Sequence, residues 1–220
     1  MTSLGVLGTG IVGRTLAARL AELGVDVMVG ARSADSESLQ TFGALGVKTG
    51  SFADAAAHAD VIINATNGSH SLAALESAGA QVLAGKTLID VSNELEPVDG
   101  GFPKPLASAD DSLGQRIQAA FPDLYVVKSL NTMNCTVMAD PSTVPGDHVV
   151  FLSGDDAGAK DRTRELLTLM GWRPAQMIDL GGIDTAAAVE MTMSLWIRVT
   201  VARGTDAPPF NWAINSQDTP

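Results

Sequence analysis

A glycine motif that directly follows a short apolar run is the feature that most constrains the fold of this chain. Residues 3–7 read Ser-Leu-Gly-Val-Leu, which predicts a β-strand, and residues 8–13 read Gly-Thr-Gly-Ile-Val-Gly. Residues 14–23 carry apolar side chains at helical spacing and end before Gly24, a natural helix terminator. Residues 25–30 predict a second strand. The order strand, G-x-G-x-x-G turn, helix and strand is typical of a dinucleotide-binding unit.

The glycines of the turn have separate expected roles. Gly8 permits the tight turn, Gly10 lets a pyrophosphate approach the backbone, and Gly13 lets the helix pack closely on the sheet. The N-terminus of the helix adds free N–H groups and a positive dipole end. We therefore expect all six turn residues to contribute to dinucleotide binding: Gly8, Thr9, Gly10, Ile11, Val12 and Gly13.

The end of the second predicted strand indicates which dinucleotide is bound. It reads Ala31-Arg32-Ser33 and lacks the acidic residue that holds the ribose hydroxyls of NAD. Arg32 can bind a 2′-phosphate through two hydrogen bonds, and Ser33 can add a hydroxyl donor. A surface arginine is the alternative, and Asp35 and Glu37 would repel a phosphate if they pointed inward. The sequence favours NADP(H), with Ala31, Arg32 and Ser33 as cofactor-binding residues.

The alternation of strands and helices continues along the chain. Further strands are predicted at residues 47–49, 60–65, 86–91, 124–128, 148–153 and 174–180. Helices are predicted at 51–57 (capped by Ser51), 69–78, 112–120, 156–170 and 184–202. Continuous Val and Ile in the strands is typical of parallel strands that are buried on both faces. The polar segment 94–111 is long enough to suggest an active-site or interface loop.

This pattern predicts an α/β fold: a Rossmann-type, doubly wound, mainly parallel sheet of about eight strands with a small C-terminal helical part. We assign residues 1–180 to an NAD(P)-binding domain, and 181–220 to a C-terminal helix and tail that complete an acceptor pocket or dimer contact. The last helix is apolar on more than one face, which is typical of a subunit contact or a ligand wall. We expect a homodimer.

Composition excludes several classes of partner. The 220 residues include 14 Lys and Arg against 25 Asp and Glu, a net charge of −11, which argues against nucleic acid. An anionic ligand would need local donors: the turn, Arg14 and Arg32. Cys135 is the single cysteine, no apolar run spans a bilayer, and the first strand leaves no room for a leader, so we expect a cytoplasmic protein without membrane contact. The three histidines lack metal spacing and are expected at the surface or in loops, without a bound metal.

Ligands of open parallel sheets bind outside the carboxyl ends of the strands. The residues expected to flank the second ribose and the nicotinamide are Ala65, Thr66, Asn67, Ser92 and Asn93. The residues expected to form the acceptor (substrate) pocket are Asn131, Thr132, Met133, Cys135 and Trp196. Two alternatives stay open: the loop 129–135 serves only as turn and helix cap, and the Met and Trp side chains of the last helix form core.

None of these side chains is an obvious acid, base or nucleophile. We therefore assign no catalytic residue and expect hydride transfer between two bound ring systems, which requires positioning more than proton chemistry. A reductase of a flavin, a quinone or a small carbonyl, and a non-catalytic dinucleotide sensor, are the alternatives.

The sequence resembles the NADPH-dependent reductases of the deazaflavin coenzyme F420 and the reductase domains of membrane ferric reductases. The resemblance is carried by residues 8–13, 31–33, 65–67, 127–132, 151–156 and 178–183. It implies direct hydride exchange between NADP(H) and the deazaflavin, a small-molecule acceptor. The chain departs from the family pattern at residues 35–37, where a basic residue is common, and at Asn131, where archaeal members tend to carry histidine.

Overall fold

Strands and helices alternate along residues 3–216, the part of the chain that the computed structural model describes. The strands are β1 (Ser3–Leu7), β2 (Asp26–Ala31), β3 (Lys48–Ser51), β4 (Val61–Asn64), β5 (Thr87–Asp90), β6 (Leu95–Glu96), β7 (Lys104–Pro105), β8 (Tyr125–Ser129), β9 (Val150–Ser153) and β10 (Met177–Gly181). The α-helices are α1 (Ile11–Glu22), α2 (Phe52–His58), α3 (Ser71–Ala78), α4 (Ala80–Leu83), α5 (Leu113–Ala120), α6 (Cys135–Ala139), α7 (Ala157–Leu169) and α8 (Ala186–Arg203). Short 3-10 helices lie between them, the longest at Glu37–Leu45.

Eight of the strands form one sheet in the order β10-β9-β8-β5-β4-β1-β2-β3. Every neighbouring pair is parallel except β8 and β9, which are antiparallel. The prediction of a Rossmann-type, mainly parallel sheet with a C-terminal helix is confirmed, and each predicted strand corresponds to one strand of this sheet. The predicted loop 94–111 also contains the small antiparallel pair β6 and β7.

The central strands are buried along their whole length because helices cover both faces of the sheet. All residues of β4 and β5 are buried. Ile63 and Ile89 belong to the apolar cluster on one face, and Ile62 and Leu88 to the cluster on the other. This two-sided burial explains why the strands read as continuous apolar runs.

Ser51 starts α2 as predicted. Its hydroxyl accepts a hydrogen bond from the Asp54 amide at 3.1 Å, and the Asp54 carboxylate accepts one from the Ser51 amide at 2.8 Å. The Ser51 hydroxyl, at 2.6 Å, and the Ser51 amide both donate to the Asp54 carboxylate and lower the pKa of Asp54. The reciprocal pair satisfies two backbone donors at the helix start and fixes α2 beside the ends of β1 and β2.

The chain leaves β1 and β4 toward opposite sides of the sheet, although the two strands are neighbours. Helix α1 leads from β1 to β2, whereas β4 is followed by β5 on the other side. A crevice opens at the carboxyl ends of strands where the order reverses in this way. The turn after β1 and residues 65–67 after β4 form that crevice.

The segment after α8 returns to the sheet. The Val149 amide donates to the Trp212 carbonyl at 2.8 Å, and the Asn211 side chain donates to the Val149 carbonyl at 2.9 Å. Residues 1–2 and 217–220, the outer ends of the two assigned domains, lie outside the described residues. Within residues 3–216, no helix combines the length and apolar character needed to cross a membrane.

Candidate functional site

A cavity of about 610 Å³ lies at the carboxyl ends of β1, β2 and β4. We call it the first cavity. Three predicted groups line it: the turn residues 8–10, the β2 tip at Ala31 and Arg32, and residues 65–67. The structure thus brings together the segments that the sequence assigned to dinucleotide binding.

Gly8 and Gly13 hold the turn in shape. Gly8 has φ +118°, and a Cβ there would lie 2.5 Å from the Ala65 carbonyl oxygen. A Cβ on Gly13 would lie 2.2 Å from the Gly8 carbonyl oxygen. Gly13 therefore packs helix α1 on the turn, whereas the sequence analysis expected close packing on the sheet. By contrast, a Cβ on Gly10 would meet no atom within 4 Å.

The start of α1 has free backbone donors directly after Gly10, which lines the first cavity. Gly10 is the N-cap residue and contributes no side-chain cap, and the first helical hydrogen bond runs from the Arg14 amide to the Gly10 carbonyl at 2.9 Å. The N–H groups of the first turn therefore lack helical acceptors and carry the positive end of the helix dipole. This arrangement suits an anion such as pyrophosphate. Arg14, expected as a further donor, instead lines a groove with Thr15 and Leu45.

The β2 tip differs in part from expectation. Arg32 is exposed and lines the first cavity, but Ser33 does not, and its hydroxyl accepts a hydrogen bond from the Asp35 amide at 3.3 Å. Ser36 and Ser38 line the cavity in its place. The Thr9 hydroxyl donates to that of Ser38 at 2.8 Å. Neither serine was predicted as a cofactor-binding residue, although the run of hydroxyl residues after Arg32 was a visible signal.

Two acidic residues near the tip stay out of the first cavity. Asp35 and Glu37 are exposed and are not among the residues that line it. Arg32 therefore faces the first cavity without a neighbouring carboxylate in its wall.

A second cavity, of about 370 Å³, shares residues 65–67 with the first. Its lining includes the predicted residues Ser92, Asn93, Asn131, Met133, Cys135 and Trp196. Ile11 and Val12 also line this cavity rather than the first. Thr132 is buried and does not line it; its carbonyl accepts a hydrogen bond from the Trp212 indole at 3.1 Å. The two cavities therefore meet at the carboxyl end of β4.

The loop after β8 combines backbone strain with cap chemistry. Leu130 has φ +64° although it is not glycine, and its side chain is buried. Such a conformation costs on the order of 1–2 kcal/mol and is held by its surroundings. The Asn134 side chain caps α6 by accepting from the Thr136 amide at 3.0 Å. Asn134 thus caps α6 and also lines the second cavity, beside Met133 and Cys135.

Helix α8 supplies an apolar wall to the second cavity. Met193 and Trp196 line it together with Met133 and Met138. The Trp196 ring stacks on Phe210 with centroids 5.8 Å apart, and Phe210 in turn contacts Trp212 edge-on. The wall is therefore built from α8 and is backed by the C-terminal segment.

Three charged side chains that the sequence analysis missed lie together beneath Ser92. Lys128, Asp90 and Glu190 are 0%, 0% and 2% exposed. The Lys128 ammonium donates to Asp90 at 2.7 Å, to Glu190 at 2.8 Å and to the Ser92 carbonyl at 2.6 Å. Burial by itself lowers the pKa of Lys128, but the two carboxylates outweigh it and hold that pKa above its ordinary value.

A signal for this cluster was present in the sequence. Asp90 and Lys128 interrupt otherwise apolar strands, and buried charges require partners. The two residues are register partners on β5 and β8. None of the three charged side chains lines either cavity.

The histidines are dispersed. His148 lies in the loop before β9, as expected, and is buried there; its ring contacts the Pro141 carbonyl at 3.0 Å and the Asn211 side-chain amide at 2.8 Å. His70 lines the first cavity, and His58 lies beside Asp26. Among the described residues, no group of three His, Cys, Asp or Glu side chains is arranged to hold a metal ion.

The chain is similar in sequence and in structure to several known proteins. Residues 3–94 match the family model described as NADP oxidoreductase, coenzyme F420-dependent. A solved structure from Arthrobacter sp. FB24, named as a candidate F420-dependent NADP reductase, is 42% identical with a TM-score of 0.89, covering 98% of this chain and 100% of that one. The F420-dependent NADP reductase of Methanothermobacter marburgensis is 27% identical over 205 residues, 88% of this chain and 90% of that protein.

The metalloreductase STEAP3 of Rattus norvegicus is 32% identical over 190 residues, which is 85% of this chain. The chain spans about a third of that relative, since the match covers 35% of it.

Proposed function

The chain belongs to the family of coenzyme F420-dependent NADP oxidoreductases, and we propose that it transfers a hydride between NADP(H) and the deazaflavin ring of coenzyme F420. The observation that carries this proposal is the meeting of two cavities at residues 65–67. One has the turn, helix start and arginine suited to a phosphorylated dinucleotide. The other has small polar side chains on one side and an apolar wall on the other, which suits a flat ring.

The residues of the first cavity fit NADP(H). Gly10 leaves open space beside the free N–H groups of α1. Within the described residues, Arg32 forms no ion pair, so its five donors are free for a 2′-phosphate. We assign the dinucleotide to the turn, Arg32, Ser36 and Ser38, with residues 65–67 next to the second ribose. Bound there, NADPH supplies a hydride from its nicotinamide ring.

The residues of the second cavity act by binding, orienting and excluding water. Ser92 and Asn93 follow β5 in the chain, and Asn131 follows β8; all three line this cavity. Met133, Met193 and Trp196 present apolar surface to the acceptor. Among the described residues, no charged side chain lines this cavity, so the chain's contribution to hydride transfer is the alignment of the two rings in a water-poor site.

We also infer that the protein is a homodimer in which α8 contributes to the contact. Met191 and Leu195 on α8 are 43% and 54% exposed. Phe102 and Leu106, in the 94–111 segment that packs beside α8 at β7, are exposed as well. Exposed apolar side chains that cluster in this way are typical of protein contacts.

The direct test mixes the protein with NADPH and oxidised coenzyme F420 and follows the visible absorbance of the deazaflavin. Absorbance should fall in proportion to protein concentration. Parallel reactions with a flavin, a quinone and a small carbonyl identify another acceptor class if one of them turns over faster. NADPH binding without turnover of any acceptor would instead support a dinucleotide sensor. The Gly10→Val variant serves as the control for catalysis that depends on the first cavity.

A further inference from the structure

The buried Lys128 satisfies all its donors with groups from three different elements. Its three N–H bonds point to Asp90 at the end of β5, to the Ser92 carbonyl in the following loop, and to Glu190 on α8. We propose that Lys128 is a positioning residue for the reaction in the second cavity. It fixes the polar floor of that cavity, formed by Ser92, Asn93 and Asn131, relative to the apolar wall that Met193 and Trp196 form on α8. This inference rests on the proposed function.

The floor is held at Ser92. Besides the Lys128 contact to its carbonyl, the Ser92 amide and hydroxyl both donate to the Asp90 carboxylate, at 3.2 and 2.6 Å. Asp90 also accepts from the Asn64 side chain at 2.9 Å. Ser92 lines the second cavity, and the next residue, Asn93, bonds to Asn131 of the neighbouring loop, which lines it as well. Three atoms of Ser92 are thus fixed through the Asp90–Lys128 pair.

The wall is held at Glu190. This residue lies on α8 one turn before Met193 and two turns before Trp196, which line the second cavity. Its carboxylate also accepts from the Leu113 and Gly114 amides, at 2.9 and 3.0 Å, at the start of α5. Lys128 therefore links α8 to the strand ends through a single buried ammonium group.

Stability alone does not account for this cluster. A buried ion pair loses solvation that its attraction barely repays, and well-packed apolar replacements are often neutral or stabilising. The cluster holds two carboxylates and one ammonium, with Arg116 near Glu190 and the start of α5 as further positive partners. What such an arrangement supplies, and an apolar core does not, is one defined geometry for the residues that it bonds.

The test compares Lys128→Met with a matched control, Lys86→Met. Lys86 also donates to two buried carbonyls, those of Ala56 and Ala59, at 2.6 and 2.9 Å. It lies directly before β5, at the opposite end of that strand from Ser92. The KM for coenzyme F420 should rise about tenfold or more in Lys128→Met, because small misplacements of bound rings are costly. The Kd of Lys128→Met for NADPH should stay within about threefold of that of the unsubstituted protein. Lys86→Met should change neither the KM for coenzyme F420 nor the Kd for NADPH by more than about threefold, because Lys86 is distant from the residues that bind them.

A second readout separates this inference from the proposed function. If the unsubstituted protein does not reduce coenzyme F420, the proposed function fails. Hydrogen exchange of the Ser92 amide then tests separately whether Lys128 holds Ser92 in place. Exchange should be about tenfold faster in Lys128→Met than in Lys86→Met, because Ser92 has lost its anchor. If Lys128→Met does not fold, Glu190→Gln should show the same direction of change in a folded protein.

Three results would overturn the inference. The first is a folded Lys128→Met protein with unchanged KM and unchanged Ser92 exchange. The second is an equal change in Lys86→Met, which indicates general destabilisation. The third is a folded Glu190→Gln protein, used where Lys128→Met does not fold, with neither readout altered.

Discussion

Asn93 and Asn131 bond to each other reciprocally across the end of the sheet. The side-chain nitrogen of Asn131 (Nδ2) donates to the side-chain oxygen of Asn93 at 3.0 Å. The side-chain nitrogen of Asn93 donates to the main-chain carbonyl of Asn131 at 2.8 Å. The pair joins the loops that follow β5 and β8, both of which line the second cavity. Asn131 therefore shapes the cavity floor, and its side-chain nitrogen already donates a hydrogen bond to Asn93 there.

Asn131→Ala should lower the rate of deazaflavin reduction by a modest factor, about threefold to tenfold. The substitution leaves the Asn93 side-chain oxygen without this donor, a loss of about 1 kcal/mol for a typical hydrogen bond. Thr132→Ala is the matched control, because the Trp212 contact uses the main-chain oxygen of Thr132 and survives the change. The steady-state rate of deazaflavin reduction at saturating NADPH is measured for both variants. A complete loss of activity in Asn131→Ala would show that this amide has a direct part in the chemistry.

NADPH should bind more tightly than NADH by on the order of 1.5–3 kcal/mol, the range for hydrogen bonds to charged groups. Arg32→Ala should remove most of that preference and leave NADH binding nearly unchanged, because Arg32 lies at the cavity wall and not at the turn. Arg14→Ala is the control, since Arg14 lines a separate groove. Isothermal titration with both dinucleotides checks this. Equal affinities in the unsubstituted protein would contradict the assignment.

Gly10→Val should abolish dinucleotide binding without unfolding the protein. A side chain at residue 10 projects into open space where the pyrophosphate must approach, so the fold has room for it and the ligand does not. Gly8→Val should unfold or strongly destabilise the chain instead, because of its φ of +118° and the nearby Ala65 carbonyl. Thermal unfolding and NADPH titration distinguish the two. Normal binding by Gly10→Val would place the dinucleotide elsewhere.

Leu195→Glu should convert the protein to a monomer, because it places a charge at the proposed contact of α8, where Leu195 is 54% exposed. Leu169→Glu is the control, on α7, where Leu169 is 39% exposed. Sedimentation equilibrium at micromolar concentration gives the masses. A single species of 22.7 kDa for the unsubstituted protein would exclude the homodimer.

Most of the sheet was predictable because its strands are continuous apolar runs bounded by turn residues. The five-residue α6 and four-residue α4 were missed, since helices this short leave no periodic pattern. The position of Ser33 outside the cavity, and of Ser38 inside it, depends on how the 3-10 helix at Glu37–Leu45 turns after the β2 tip. No local sequence pattern specifies that turn.

The buried charges illustrate a second limit. Asp90 and Lys128 were within predicted strands, but their pairing requires β5 and β8 to be neighbours. Glu190 is 62 residues further along the chain than Lys128 and reaches it only through the packing of α8. The contact of Trp212 with Thr132 likewise depends on the return of the C-terminal segment. Contacts of this range follow from tertiary packing and not from periodicity.

The central claim is direct hydride transfer between two rings held in adjoining cavities. It is tested most directly with NADPH stereospecifically labelled with deuterium at the nicotinamide C4, oxidised coenzyme F420 and unlabelled water. Mass spectrometry of the reduced deazaflavin should find the deuterium in that product, with none released to solvent, because a hydride passes directly from the nicotinamide carbon to the deazaflavin ring and never resides on an exchangeable group. Deuterium in the solvent, and none in the reduced deazaflavin, would contradict the account and indicate an acid–base step.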